Sequence, residues 1–175
     1  MSRNRDANAL FEVSFKFIIK NDAGQTLLLK MPSGGPMSGY YDLPGGRIKE
    51  HEKMAEFPKV FVRELKEELG EKVKIKLSQI PVAVGRHNYP TASKKRGYIF
   101  WVFFEGDYKG GKITISEEHE GYDWIDIKTQ NIDKYFVQGP WEGMYHYLNK
   151  KFPEAKSHSR NQSRRSPESK GQSNS

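Results

Sequence analysis

Cysteine is absent from all 175 residues, which excludes disulfides, thiolate metal sites and cysteine nucleophiles together. No stretch approaches the roughly 18 consecutive apolar residues of a membrane span. The start, MSRNRDANALFEVSFKF, has no long apolar run followed by a small-residue cleavage site. Also missing are a Gly-x-Ser-x-Gly elbow, a His-Glu-x-x-His pair and a Gly-x-x-x-x-Gly-Lys-Ser/Thr phosphate loop, the signatures of three common hydrolytic or nucleotide-binding chemistries. These absences lead to the expectation of a soluble, cytoplasmic protein with no membrane partner.

The formal charge of +7 invites a nucleic-acid reading until it is localised. Residues 150–175 hold seven lysines and arginines against two glutamates, so +5 sits in the tail and +2 is left for everything before it. The stretch 157–175 contains no large apolar residue and cannot offset its own ordering entropy, which predicts disorder. The expected organisation is a flexible N-terminus at 1–9, one domain over 10–152 and a disordered basic tail at 153–175. Contact with RNA through the tail would be purely electrostatic, and a solvated appendage is the expected role.

Within the domain, FEVSFKFIIK (11–20) and QTLLLKM (25–31) flank the turn residues NDAG, which predicts a hairpin. PSGGPMSG (32–39) reads as a loop. From Pro58 onward, Phe61 or Val62 with Leu65 and Leu69 forms an apolar stripe at helical spacing, ended by Gly70. KVKIKL (72–77) alternates as a half-buried strand does, and QIPVAVGRHNY extends the β region. NYPTASKKRG (88–97) reads as a basic loop, GYIFWVFFEG (97–106) as a central strand and KITIS (112–116) as a short strand. A further strand is expected to start at Trp124. TQNIDKYF (129–136) and the segment from Pro140 to Phe152 read as helices. That order predicts an α+β domain with a mixed sheet flanked by helices.

The chemistry concentrates in RELKEELG (63–70). Glu64, Glu67 and Glu68 stand at i, i+3 and i+4 and fall mainly off the apolar stripe, where carboxylates repel by roughly 0.2–0.5 kcal/mol per pair. Oxygen-only donors favour a hard cation such as Mg²⁺ or Mn²⁺, which converts the repulsion into binding. A solvated acidic face, partly compensated by Arg63 and Lys66, is the competing reading.

The run from Gly46 to Gly70 resembles the Nudix box, Gly-x5-Glu-x7-Arg-Glu-U-x-Glu-Glu-x-Gly-U, with U a bulky aliphatic. Arg63 to Gly70 match its second half, and the preceding Leu-Pro-Gly-Gly (43–46) also fits. Two departures stand out. Gly46 and Arg63 lie seventeen positions apart, three more than the pattern allows, so the box glutamate is Glu52 counted forward, with Glu56 beside the position counted backward. Glu71 occupies the final aliphatic place, which Val73 could fill.

The resemblance implies an α/β/α sandwich and a Mg²⁺- or Mn²⁺-dependent pyrophosphohydrolase acting on a nucleoside diphosphate linked to another moiety, with a leaning to nucleoside tri- or polyphosphates. It implies metal ligands at Glu64, Glu67, Glu68 and the Gly46 carbonyl. Glu64 is a ligand or the water-activating base, and Arg63 orients the acids. Glu52 or Glu56 pairs with Arg63 and supports the loop. A late-loop glutamate completes the catalytic set: Glu118, counted back from Trp124, with Glu117 and Glu120 as close competitors. Lys30, Arg47, Lys94, Lys95 and Arg96 are candidates for substrate phosphates. Tyr89, and less so Tyr40 and Tyr41, are candidates for base stacking. Tyr89 falls at an offset similar to one in diadenosine polyphosphate hydrolases. His119, a lone loop histidine, is expected to be solvated. A non-catalytic Nudix-fold binding module is the alternative, though its expected mark is loss of the box glutamates. A Nudix-like isomerase would need a cysteine.

Overall fold

The computed structural model describes residues 8–90 and 96–153, with the backbone alone at Pro90 and Arg96. Most of the expected N-terminal segment and nearly all of the basic tail therefore lie outside the described residues, as do Lys94 and Lys95. Six strands make one mixed sheet: β1 (Glu12–Lys20), β2 (Thr26–Lys30), β3 (Tyr41–Asp42), β4 (Ile75–Pro90), β5 (Arg96–Tyr108) and β6 (Gly121–Ile125). The order is β3-β2-β1-β5-β4, with β6 on the other edge of β2. The pair β1/β5 is parallel and the remaining pairs are antiparallel.

Helix α1 (Phe57–Leu69) and helix α2 (Gln138–Lys151) cover opposite faces. Alternation along β1 explains why. Phe15, Phe17 and Ile19 point to one face and pack with Leu27, Leu29, Phe104 and the Val60, Phe61, Leu65 and Leu69 stripe of α1. Ile18 points to the other and joins Leu28, Phe103, Met144, Tyr147 and Leu148. A strand buried on both faces needs apolar side chains in both phases, which FEVSFKFIIK nearly provides. The α/β/α sandwich follows from these two layers. Within α1 it is Phe61 that is buried, while Val62 stays exposed.

Four local expectations are corrected. KITIS forms no strand: the Thr114 and Ser116 amides donate to the Leu69 and Glu68 carbonyls at 2.9 and 3.2 Å. The segment satisfies the orphan carbonyls at the end of α1 instead of joining a ladder. TQNIDKYF yields only a 3-10 turn, Ile132–Lys134, whose start is capped by the Asn131 side chain on the Asp133 amide. Trp124 lies inside β6, which begins three residues earlier at Gly121. The basic loop is shorter than the sequence suggested, because β4 and β5 pair out to Pro90 and Arg96.

The feature that builds the site is a wedge. β1 and β2 pair only at Lys20 and Thr26, then diverge, and residues 41–48 fill the gap. β3 bonds β2 through Leu29 and Asp42. The Leu-Pro-Gly-Gly turn bonds β1, with the Phe17 amide on the Pro44 carbonyl at 2.8 Å and the Phe15 amide on the Gly46 carbonyl at 2.9 Å.

Candidate active site

The acids of α1 sit under that turn. Leu65 and Leu69 pull one side of the helix into the core, and this rotation carries Glu64 and Glu68 inward, to 5% and 8% exposure. Glu67, on the outer side, stays half-exposed. Two of the three acids are thus buried rather than solvated. Glu68 accepts from the Gly45 amide at 2.7 Å. Glu64 lies against Gly46 so closely that a Cβ there would overlap its carboxylate. Gly45 has φ +124°, and a Cβ on it would overlap the Phe15 carbonyl, so only glycine fits this approach of turn to strand.

Arg63 is the hub. Its Nε and NH2 bond both oxygens of Glu52, the latter at 2.7 Å, and it meets Glu64 at 2.7 Å and Glu67 at 2.9 Å. NH2 also donates to the Arg47 carbonyl at 3.2 Å. Glu52 is 9% exposed and takes the Lys49 amide at 3.0 Å, whereas Glu56 is exposed and faces Lys59. The inserted residues therefore fall after Glu52, in the bend between the 3-10 turn Glu50–Glu52 and the start of α1. Lys49 bonds both oxygens of Glu67, at 3.0 and 3.2 Å.

These contacts separate the acids electrostatically. Hydrogen bonds from Arg63 hold the Glu52 carboxyl down at about 2. The Lys49 bond lowers Glu67. Burial raises Glu64 against the pull of Arg63, and burial pushes Glu68 up to about 7 against the opposing charge of Lys16. Lys16 itself, 3% exposed, bonds Asp42 at 2.7 Å and the Leu43 and Gly45 carbonyls at 3.0 Å each.

Among the described residues, no three carboxylate or imidazole groups already converge at ligand distances, because Arg63, Lys49 and the Gly45 amide engage the acids. The donor chemistry nevertheless suits a hard dication: Glu64 and Glu68 lie against the Gly45–Gly46 turn, Glu67 stands on the outer side of the same helix, and every candidate donor, the Gly46 carbonyl included, is oxygen.

The other candidates are spread out. Glu118 is exposed and interacts with the adjacent His119, and Glu120 accepts from Ser33 instead. His119 is not solvated but 8% exposed, with Nδ1 unpartnered. Lys30 pairs with Asp123 at 3.1 Å. Arg47 pairs with Glu12 at 3.1 Å and lies over the Tyr89 ring at 4.9 Å; the Tyr89 hydroxyl also bonds Glu12. Tyr41 bonds Asp123 and packs on Tyr135, while Tyr40 joins the backbone turn from Met37. Sequence reasoning missed Lys16, Asp42 and Lys49. Their partners lie 26, 26 and 18 residues away respectively, and no local pattern links them.

A family model described as NUDIX domain matches residues 10–141. A nucleoside triphosphatase, NudI, from Escherichia fergusonii is 30% identical over 122 residues, 67% of this chain and 82% of that protein. A MutT protein structure from Methanosarcina mazei Go1 matches with a TM-score of 0.53 at 23% identity, over 82% of this chain and 93% of that one. A C. elegans Ap4A hydrolase structure matches with a TM-score of 0.52 at 18% identity, over 81% and 95%. At these identities the two structures speak to the fold alone. Among the described residues no helix is long and apolar enough to cross a membrane.

Proposed function

The chain belongs to the Nudix family, and from that premise we propose that it is a Mg²⁺- or Mn²⁺-dependent pyrophosphohydrolase whose substrates are nucleoside tri- or polyphosphates. The observation that carries this reading is the burial of Glu64 and Glu68 beside the Gly45–Gly46 backbone, with Glu67 open to solvent. Burial disfavours the charge on both acids even with Arg63 beside Glu64 and Lys16 acting on Glu68. A divalent ion between them would offset that cost, which supports reading the pair as a metal site. The name of the 30% identical relative, a nucleoside triphosphatase, supports the leaning toward triphosphates.

A divalent ion bound there supplies charge against phosphate oxygens and a place for a water. In this proposal Glu64, Glu67, Glu68 and the Gly46 carbonyl hold the ion. Arg63, anchored by Glu52, keeps Glu64 and Glu67 oriented for it. Glu64, whose carboxyl burial raises, or Glu118 from the exposed loop, takes the proton of the attacking water. Arg47 leaves Glu12 to meet a substrate phosphate, with Lys94 and Arg96 as further cations, and Tyr89 offers a ring to the base. The nucleotide leaves with one phosphate group and the remaining phosphates leave as the second product.

The test is a panel of nucleoside triphosphates, dinucleoside polyphosphates, nucleotide sugars and ADP-ribose with Mg²⁺, read by product identification. Hydrolysis of a phosphoanhydride bond in at least one class is expected, strongest for triphosphates. No turnover of any of them contradicts the proposal.

A further inference from the structure

Lys16 lies at the centre of β1, buried on a face that otherwise packs against α2. An ammonium has three N–H donors, and all three are used, on Asp42, the Leu43 carbonyl and the Gly45 carbonyl. The side chain also lies over the Trp101 ring at 5.1 Å. With no donor left over, Lys16 is not equipped to meet a substrate.

The four carbonyls of the Leu-Pro-Gly-Gly turn divide between two partners. Those of Pro44 and Gly46 bond the backbone of β1, and those of Leu43 and Gly45 bond the Lys16 ammonium. Backbone and side chain of one strand thus fix every peptide plane in the turn, including the one at Gly45, whose positive φ only glycine adopts readily. The Gly45 amide is then directed at Glu68, and Gly46 against Glu64. Asp42 offsets part of the cost of burying the ammonium.

We propose that Lys16 is the positioning residue of the site: its ammonium sets the Leu43–Gly46 backbone so that the Gly45 amide binds Glu68 and Gly46 lies against Glu64. The proposal rests on reading those acids as the active site. It assigns Lys16 no contact with the reacting atoms, so its loss acts through geometry.

The test uses the Gly45 amide as a reporter that needs no metal. In Lys16→Met, its hydrogen exchange is expected to accelerate at least roughly tenfold, while the amides of Ile18 and Phe103 change by less than about twofold. Because the chain has no cysteine, Lys16→Cys can be alkylated at one place only, in denaturant before refolding. Aminoethylation restores an ammonium of nearly the native length and is expected to restore Gly45 protection; carbamidomethylation, similar in size but neutral, is not. With Mg²⁺ and nucleoside triphosphate, the aminoethylated form is expected to regain kcat lost in Lys16→Met, with KM within about twofold throughout.

Unchanged Gly45 exchange in Lys16→Met overturns the proposal. If Lys16→Met instead opens all amides together, the two alkylated forms decide, and equal behaviour of both overturns it. Loss of Gly45 protection in a wild-type background that hydrolyses no phosphoanhydride would retire the functional reading and leave the positioning role standing.

Discussion

Glu52 accepts two hydrogen bonds from the Arg63 guanidinium, one at each carboxylate oxygen. Eleven residues separate the two, and the inserted stretch lies between them, so the insertion lengthens the approach to α1 without parting this pair. Arg63 is thereby held where it also reaches Glu64 and Glu67.

Glu52→Gln is therefore expected to destabilise the protein by about 1–3 kcal/mol, since it removes the negative charge and one of the two acceptors that the Arg63 guanidinium engages, and sets an NH2 donor against it. Glu56→Gln, at an exposed position, should stay within about 0.5 kcal/mol of wild type. Urea denaturation of both variants checks the contrast.

The two glycines of the turn should fail differently. Gly45→Ala places a Cβ into the Phe15 backbone at φ +124°, with an expected loss of about 2 kcal/mol or more. Gly46→Ala meets only the end of the Glu64 side chain, which can swing away. It should fold within about 1 kcal/mol of wild type yet lose roughly ten- to hundredfold in kcat, because Glu64 is displaced. Thermal melting and steady-state kinetics separate the two.

Burial pushes Glu68 up to about 7 from the ordinary 4.5, so the folded chain holds a proton that the unfolded chain releases. Metal-free stability should then decline as pH rises from about 4.5 to about 7 and stay reduced above it. Glu68→Gln keeps an acceptor for the Gly45 amide and removes the charge. In EDTA it is expected to exceed wild type by up to about 3 kcal/mol at pH 8, with the gap closing toward pH 4.

Glu105 behaves oppositely. Burial works against its charge, but bonds from Lys151, Lys20 and Tyr147 prevail and hold its carboxyl at about 2. Its contribution is present above about 4.5 and lost as pH falls toward 2. Glu105→Gln should flatten the acid limb of the stability profile between those values while leaving nucleotide turnover within about twofold, since the residue lies outside the site.

Much of this was legible in the chain. The apolar stripe of α1, the hairpin around NDAG and the Gly-Gly turn all have local causes, in periodicity and backbone freedom, that survive folding. What was not legible depends on distant partners. KITIS alternates as a strand does, but the open carbonyls of α1 claimed its amides. His119 reads as a loop residue and is buried near Asp42 and Lys16. Alternation places Lys16 on the face opposite Phe15 and Phe17, but only the wedge of residues 41–48 gives its ammonium three acceptors.

The central claim is that the α1 acids form a divalent-metal site for phosphoanhydride hydrolysis. Its most direct test is turnover of a nucleoside triphosphate at saturating Mg²⁺ by wild type, Glu67→Gln and Glu68→Gln, each confirmed folded. Both variants are expected to lose at least about a hundredfold in kcat; turnover within about twofold of wild type in either would contradict the account.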